Sequence, residues 1–322
     1  MIPVRILGTA SLQPGPAVTT AELCARVGRD AAEVERKTGI RARHFAPPGV
    51  TCAEVAARAL GDALAAAGLE ARALRRILCV TSMGGDVTAP ATANRVAARL
   101  GLSGSCDAMD LGNACMGFLS AFDLAARSVA TGLGPVGVVA VELLSRTTTP
   151  EDPRPYLVLG DAAAAAVLGA ARPGEGVLGV ALGNDGSMPT DVVLENPHVT
   201  GKLERMRFLT PSREMTRVAL GALKRAAREV LDEAGLAMRE VEWVVTHQPN
   251  GSMLEAVLEA LEVPPERGVR VVDTVGSVGS ASLPTSLDQL LRTRPVKAGD
   301  RILMVGVGAG VAHGAVLYRV GG

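Results

Sequence analysis

Five cysteines and four histidines are the strongest nucleophile and base candidates in the chain, and their surroundings separate them. Cys115 lies in Asp110-Leu-Gly-Asn-Ala-Cys-Met-Gly-Phe-Leu119, just before an amphipathic pattern that predicts a helix from Gly117 to about Ala130. At a helix start the free N–H groups and the dipole favour a thiolate, the nucleophilic form of the side chain. Gly112, Ala114 and Gly117 are small enough to let a carbonyl substrate reach the backbone beside it. Cys24, Cys52, Cys79 and Cys106 fall inside helix or strand patterns and read as inert, packed thiols. His247 opens His-Gln-Pro-Asn-Gly251 at the end of a predicted strand, where an imidazole can face a cleft and move protons near neutral pH. His44, His198 and His313 lack such a setting and read as structural, and no Cys/His spacing fits a metal site. The third candidate is Gly306-Val-Gly-Ala-Gly310, read as following the last strand. Too little chain remains for the crossover of a dinucleotide fold, so it reads as a tight loop whose N–H groups can serve as an oxyanion hole.

These loops need strands to present them. Short β-branched runs alternate with amphipathic helical patterns, which indicates an α/β fold with helix-covered sheets. A helix over about Ala53–Ala67 precedes the strand Arg76–Thr81, and one over Glu214–Ala234 precedes Val241–Thr246. The runs Cys106–Leu111 and Arg270–Thr274 follow, and then Val136–Val141 and Arg301–Val305. Equivalent positions are offset by 165 (Thr81 to Thr246), 163 (Asp110 to Asp273) and 164 (Val138 to Ile302) residues, about half the length of the chain. A constant offset in constant order indicates a duplicated unit, with halves at residues 1–172 and 173–322. Strand-to-helix loops of two such halves can face one another across a shared cleft. The alanine run Ala162–Ala166 reads as helix.

Composition narrows the function classes. The 322 residues carry 33 basic and 33 acidic side chains and only one Trp, two Tyr and four Phe. A nucleic-acid binder would need a basic face and stacking platforms. No apolar stretch approaches a bilayer span, and Met1–Ile6 does not read as a signal peptide. An odd number of irregularly spaced cysteines suggests reduced thiols in a cytoplasm.

Taken in order, the motifs resemble the thiolase superfamily, most closely its ketoacyl-acyl-carrier-protein synthase III group. The resemblance runs from Ile6-Leu-Gly-Thr-Ala10 and Thr38-Gly-Ile-Arg-Ala-Arg-His44 through the cysteine loop and Leu159-Gly-Asp161. It continues in His247-Gln-Pro-Asn250 and the glycine-rich end. It implies a five-layer αβαβα fold from two duplicated halves, a homodimer, and no bound cofactor. Acyl donors would arrive as coenzyme A or phosphopantetheine thioesters, the latter on an acyl carrier protein. It further implies that Cys115 takes up an acyl group and that the N–H groups of Cys115 and Ala309 hold the oxyanion. His247 would then bind the carbonyl of a malonyl thioester that loses carbon dioxide and attacks the acyl-cysteine. Asn250, Val307, Gly308 and Arg154 would contact substrate.

Several positions depart from the family pattern. Ser277, in Gly276-Ser-Val-Gly-Ser-Ala-Ser-Leu-Pro284, stands where an asparagine usually donates to the enolate. Val307 replaces a phenylalanine, Ala309 a glycine, Glu33 an adenine-stacking tryptophan, and Ser252 an arginine. The changes suit a donor carried on a protein or a relative in specialised metabolism, and the basic stretches Lys202–Arg207 and Lys224–Arg228 are candidates to meet an acidic carrier protein. Three functions follow. The first is a decarboxylating condensing enzyme in fatty-acid or specialised polyketide metabolism. The second is an acyltransferase passing the acyl group from Cys115 to an alcohol or amine. The third, a non-catalytic partner subunit, has no chemical need for both Cys115 and His247.

Overall fold

The computed structural model describes residues 1–186, 192–210 and 212–321. Two sheets organise it. In the first, the strands Arg5–Leu12, Asp161–Gly169, Val136–Leu143, Arg76–Val80 and Asp107–Leu111 lie side by side in that order. In the second the order is Gly176–Asn184, Ala312–Arg319, Arg301–Gly308 and Trp243–Thr246. Each sheet starts with two antiparallel pairings and continues with a parallel one. The strand order repeats between the sheets, except that the second sheet has no counterpart of Asp107–Leu111.

Side chains alternate across each strand, so the two faces of a sheet feed two different cores. Val136, Val138 and Ala140 point inward with Val245, Met304 and Val316 of the other sheet. The helices Gly117–Ala130 and Ser282–Thr293 lie between, contributing Phe118, Phe122, Leu283 and Leu287 to the same core. Val139, Val141 and Leu143 point outward against the helices Cys52–Ala66 and Thr92–Arg99. The helices Ser212–Ala234 and Gly251–Ala260 cover the outer face of the second sheet. The result is the five-layer αβαβα arrangement of the thiolase fold. The cysteine helix begins at Gly117 and ends at Ala130, as its periodicity predicts, and buries Phe118, Ala121, Phe122, Ala125 and Ala126 along one stripe.

Three local expectations are corrected. Ala162–Ala166 is a strand, because Asp161–Gly169 sits between Arg5–Leu12 and Val136–Leu143 with all nine residues buried. A position inside the sheet with helices on both faces outweighs the helix propensity of alanine. Arg270–Thr274 forms no strand: only a bridge at Gly268 to Val244 remains, followed by the single helical turn Val272–Val275. The fully buried Gln248 replaces the missing ladder. Its Oε1 accepts from the N–H groups of Val271 and Val272 at 3.0 and 3.1 Å, and its Nε2 donates to Val269 O at 2.7 Å. Finally, Arg301–Gly308 carries the first glycines inside the strand, and a further strand, Ala312–Arg319, pairs back onto it after a tight turn.

Candidate active site

A cavity of about 730 Å³ opens between the halves and collects most of the site positions singled out in the sequence, although Glu33 does not line it. Cys115, His247, Ser277 and Ala309 border it, together with Val307, Gly308, Asn250 and Arg154. The elements that bring them there are the strand ends facing the cleft.

Cys115 occupies the turn Ala114–Met116 that feeds the helix Gly117–Ala130. Ala114 precedes it with φ +42, a left-handed conformation that costs a residue with a Cβ and marks a forced turn. The turn is closed by the Met116 N–H donating to Asn113 O at 2.9 Å and by the Asn113 amide donating to Ser120 Oγ at 2.9 Å. Gly117 cannot carry a side chain, since a Cβ there would lie 2.3 Å from Val80 Cγ1. The glycine-rich segment meets the cysteine from the other half. Beyond Gly308, the turn Ala309–Val311 is formed with Gly310 at φ +129.

His247 follows the strand Trp243–Thr246 and is anchored by its N–H donating to Val305 O at 3.0 Å. It is 5% exposed, and its Nδ1 meets no hydrogen-bond partner among the described residues. Burial pushes its pKa down to about 4. The imidazole is therefore neutral at neutral pH, and its charge does not change in the range expected from the sequence. A neutral ring can still donate a hydrogen bond to a carbonyl, but it is a weak base.

Ser277 is set by pairing of its backbone with the Val158–Gly160 segment: its N–H donates to Val158 O at 2.8 Å and its carbonyl accepts from Gly160 N at 2.9 Å. Gly276 precedes it at φ +75, where a Cβ would come within 2.8 Å of Arg43 Cβ. Asn250 borders the cavity while its Oδ1 accepts from Met253 N at 2.8 Å, capping the helix Gly251–Ala260. The Arg154 guanidinium donates to Phe208 O and Thr210 O, both at 3.1 Å, and lies over the Phe208 ring. Those contacts tether the wall formed by Val192–Val193 and Arg207–Phe208 to the turn Pro153–Tyr156.

Other features were not singled out from sequence. Leu144, Leu159 and Met206 pack with Val192, Leu194 and Phe208 into an apolar wall suited to a hydrocarbon chain. Glu142 is fully buried at the end of Val136–Leu143, where burial pushes its carboxyl up to about 7 against the pull of Ser82 and Ser280 donors. A lone acid in an otherwise apolar run was the available signal. Among the described residues no three His, Cys, Asp or Glu side chains group to hold a metal ion, and no helix is long and apolar enough to cross a membrane.

The comparisons agree with this geometry. Residues 109–186 match the model of 3-oxoacyl-[acyl-carrier-protein] synthase III, and residues 231–320 match that of its C-terminal part. The structure of 3-oxoacyl-[acyl-carrier-protein] synthase III from Aquifex aeolicus VF5 is 30% identical, with a TM-score of 0.91 over 98% of this chain and 99% of that one. The Pseudomonas aeruginosa PAO1 enzyme is 31% identical, with a TM-score of 0.90 over 99% of both chains. A priming β-ketosynthase from the R1128 polyketide biosynthetic pathway is 30% identical, with a TM-score of 0.89 over 99% of this chain and 96% of that one. With this likeness running the length of the chain, and a cysteine and a histidine at one cavity, the chain belongs to the 3-oxoacyl-[acyl-carrier-protein] synthase III family of thiolase-fold acyltransferases.

Proposed function

We propose that the chain joins an acyl group to a malonyl unit with loss of carbon dioxide, giving a β-ketoacyl thioester for fatty-acid or polyketide synthesis. Cys115 Sγ attacks the donor thioester carbonyl, the donor thiol departs with a proton, and the acyl group stays on the cysteine. The N–H groups of Cys115 and Ala309 receive the oxyanion. A malonyl thioester then enters with its carbonyl against His247 and Ser277. Its carbon–carboxylate bond breaks, the electron pair becomes an enolate, and the enolate carbon attacks the acyl carbonyl and releases the Cys115 thiolate. Asn250, Val307, Gly308 and Arg154 border the path of the thioester arm. The acyl donor and the malonyl unit arrive as coenzyme A or carrier-protein thioesters, with no bound cofactor.

The observation that carries this reading is the burial of His247. An imidazole held neutral is fitted to donate to an enolate oxygen, whereas removing a proton from an alcohol or amine calls for a group with a pKa near the working pH. The second reading, transfer to such an acceptor, is favoured by Ser277, whose shorter, freely rotating hydroxyl stands where the family places an asparagine. Intact mass spectrometry with a panel of acyl thioesters, followed by a malonyl thioester, decides between them. The expected result is an adduct on Cys115, absent from Cys115→Ala, that the malonyl unit converts to a β-ketoacyl product with carbon dioxide released. An adduct inert to malonyl but discharged by an alcohol or amine would establish the second reading.

The partner surfaces are inferred in the same way. Among the described residues Asp107–Leu111 is the edge strand of its sheet, and a second copy pairing there would cover it, which supports a homodimer. No disulfide joins the five cysteines among the described residues, which suits a reducing compartment. Residues 1–172 and 173–322 remain the proposed division into halves.

A further inference from the structure

Within Val136–Leu143 every residue but Glu142 is apolar, and Glu142 has no exposed surface. A carboxyl in that position loses its hydration, and among the described residues no cation pairs with it. What it has instead is a set of neutral donors from two loops. From the loop after Arg76–Val80, Ser82 gives its N–H at 3.1 Å and its hydroxyl at 2.6 Å to Oε1. From the turn Gly279–Ala281, Ser280 gives its N–H at 3.2 Å and its hydroxyl at 2.5 Å to the same oxygen. Gly279 leans directly on the carboxyl, since a Cβ there would lie 3.1 Å from Oε1.

Both loops are walls of the cavity, through Ser82 on one side and through Ser277 and Gly279 on the other. The first belongs to the sheet that carries Cys115 and the second to the segment that carries Ser277. Among the described residues the hydrogen bonds to Glu142 come from Ser82 and Ser280, on those two loops. The cysteine turn and the segment Gly306–Gly310 are the parts that would form the acyl-cysteine, and the cysteine turn is held by its own Asn113 contacts. We infer that Glu142 is a positioning residue that clamps the Ser277-bearing turn against the Ser82 loop and so governs discharge of the acyl-cysteine, not its formation. This rests on the proposed two-step reaction at Cys115.

The test separates the two steps. Glu142→Gln keeps the shape of the side chain and removes its charge, and Ser280→Ala removes the 2.5 Å donor from the far side of the clamp. Adduct formation on Cys115 is followed by intact mass, and discharge by product and carbon dioxide from pre-acylated protein. Weakening these hydrogen bonds, in Glu142→Gln by exchanging the carboxyl for a carboxamide and in Ser280→Ala by removing a donor, should slow discharge about tenfold, with adduct formation within about twofold of wild type. Because both changes break one clamp, the double variant should be no slower than Glu142→Gln alone. A loss shared equally by both steps, no loss in either, or additive losses would overturn the inference. If Glu142→Gln does not fold, Ser280→Ala carries the same comparison. If wild type forms the adduct but malonyl does not discharge it, the condensing reading fails. The clamp is then judged on discharge to an alcohol or amine, where an unchanged rate overturns it.

Discussion

The backbone of Gly308 lies against the backbone of Cys115: a Cβ at position 308 would sit 3.2 Å from the Cys115 nitrogen and 3.3 Å from its Cβ. The two residues come from opposite halves of the chain, and their contact sets the spacing between the Cys115 turn and the turn Ala309–Val311. Gly308 has an extended backbone that any residue can adopt, so the requirement is for space alone. Gly308→Ala should fold with a loss of about 1 kcal/mol, in the range for overpacking a close contact. Cys115 adduct formation should slow about tenfold or more, since a shift of a few tenths of an ångström misaligns the attack. Melting curves and the time course of the adduct would show it, and an unaltered time course would refute it.

Ser277→Asn should raise malonyl decarboxylation. Removing one preorganised oxyanion donor costs about 100- to 1000-fold in other enzymes, so restoring one in the right place should give at least about a tenfold gain. Ser277 is buried with its backbone pinned on both sides, so the longer side chain must turn into the cavity. Carbon dioxide release from malonyl thioester measures the effect. No gain would remove Ser277 from the decarboxylating machinery.

Two buried groups make the stability depend on pH in opposite directions. The pKa of His247 falls from 6.5 to about 4 on folding, so between those values the unfolded chain binds more protons. Its contribution is complete above 6.5 and is lost as the pH falls toward 4. The pKa of Glu142 rises from 4.5 to about 7, so the folded chain binds more protons, and its contribution is present below 4.5 and lost as the pH rises to 7. Between about pH 4.5 and 6.5 the two slopes oppose each other. Glu142→Gln removes one of them, so its melting temperature should climb with pH through that window more steeply than wild type. Parallel curves would contradict the assignment.

Gln248→Leu should lower stability by about 2–4 kcal/mol, because it leaves the N–H groups of Val271 and Val272 and the carbonyl of Val269 buried without a partner. Denaturant unfolding measures it, and a loss under about 1 kcal/mol would mean that water or a local shift replaces the amide.

The same residue explains where sequence reading stopped short. Arg270–Thr274 has the β-branched content of a strand and lies at the repeat offset, yet a side chain from another loop takes its backbone hydrogen bonds. Local pattern carries no record of a partner 23 residues away. Ala162–Ala166 failed for a related reason: alanine favours a helix until a central sheet position claims it. The cysteine and histidine loops were legible because each couples a reactive residue to a strand end or helix start, whereas the glycine segment was placed one strand too late, its first glycines lying inside Arg301–Gly308. Glu142 stood out in sequence only as a lone acid in an apolar run, and what it, Ser82 and the apolar wall do depends on contacts between distant segments.

The middle layer also bears on how far the duplication goes. One continuous core takes Val80 and Val138 from the first sheet, Val245 and Met304 from the second, and Phe122 and Leu287 from the helices between them. Each sheet hides its inner face only with help from the other half. The repeats are thus copies but not modules: a chain cut between them would yield two pieces with one oily flank each, and neither would own a complete cavity. Such fragments would have to reassociate before any chemistry could begin, so folding and activity are properties of the pair.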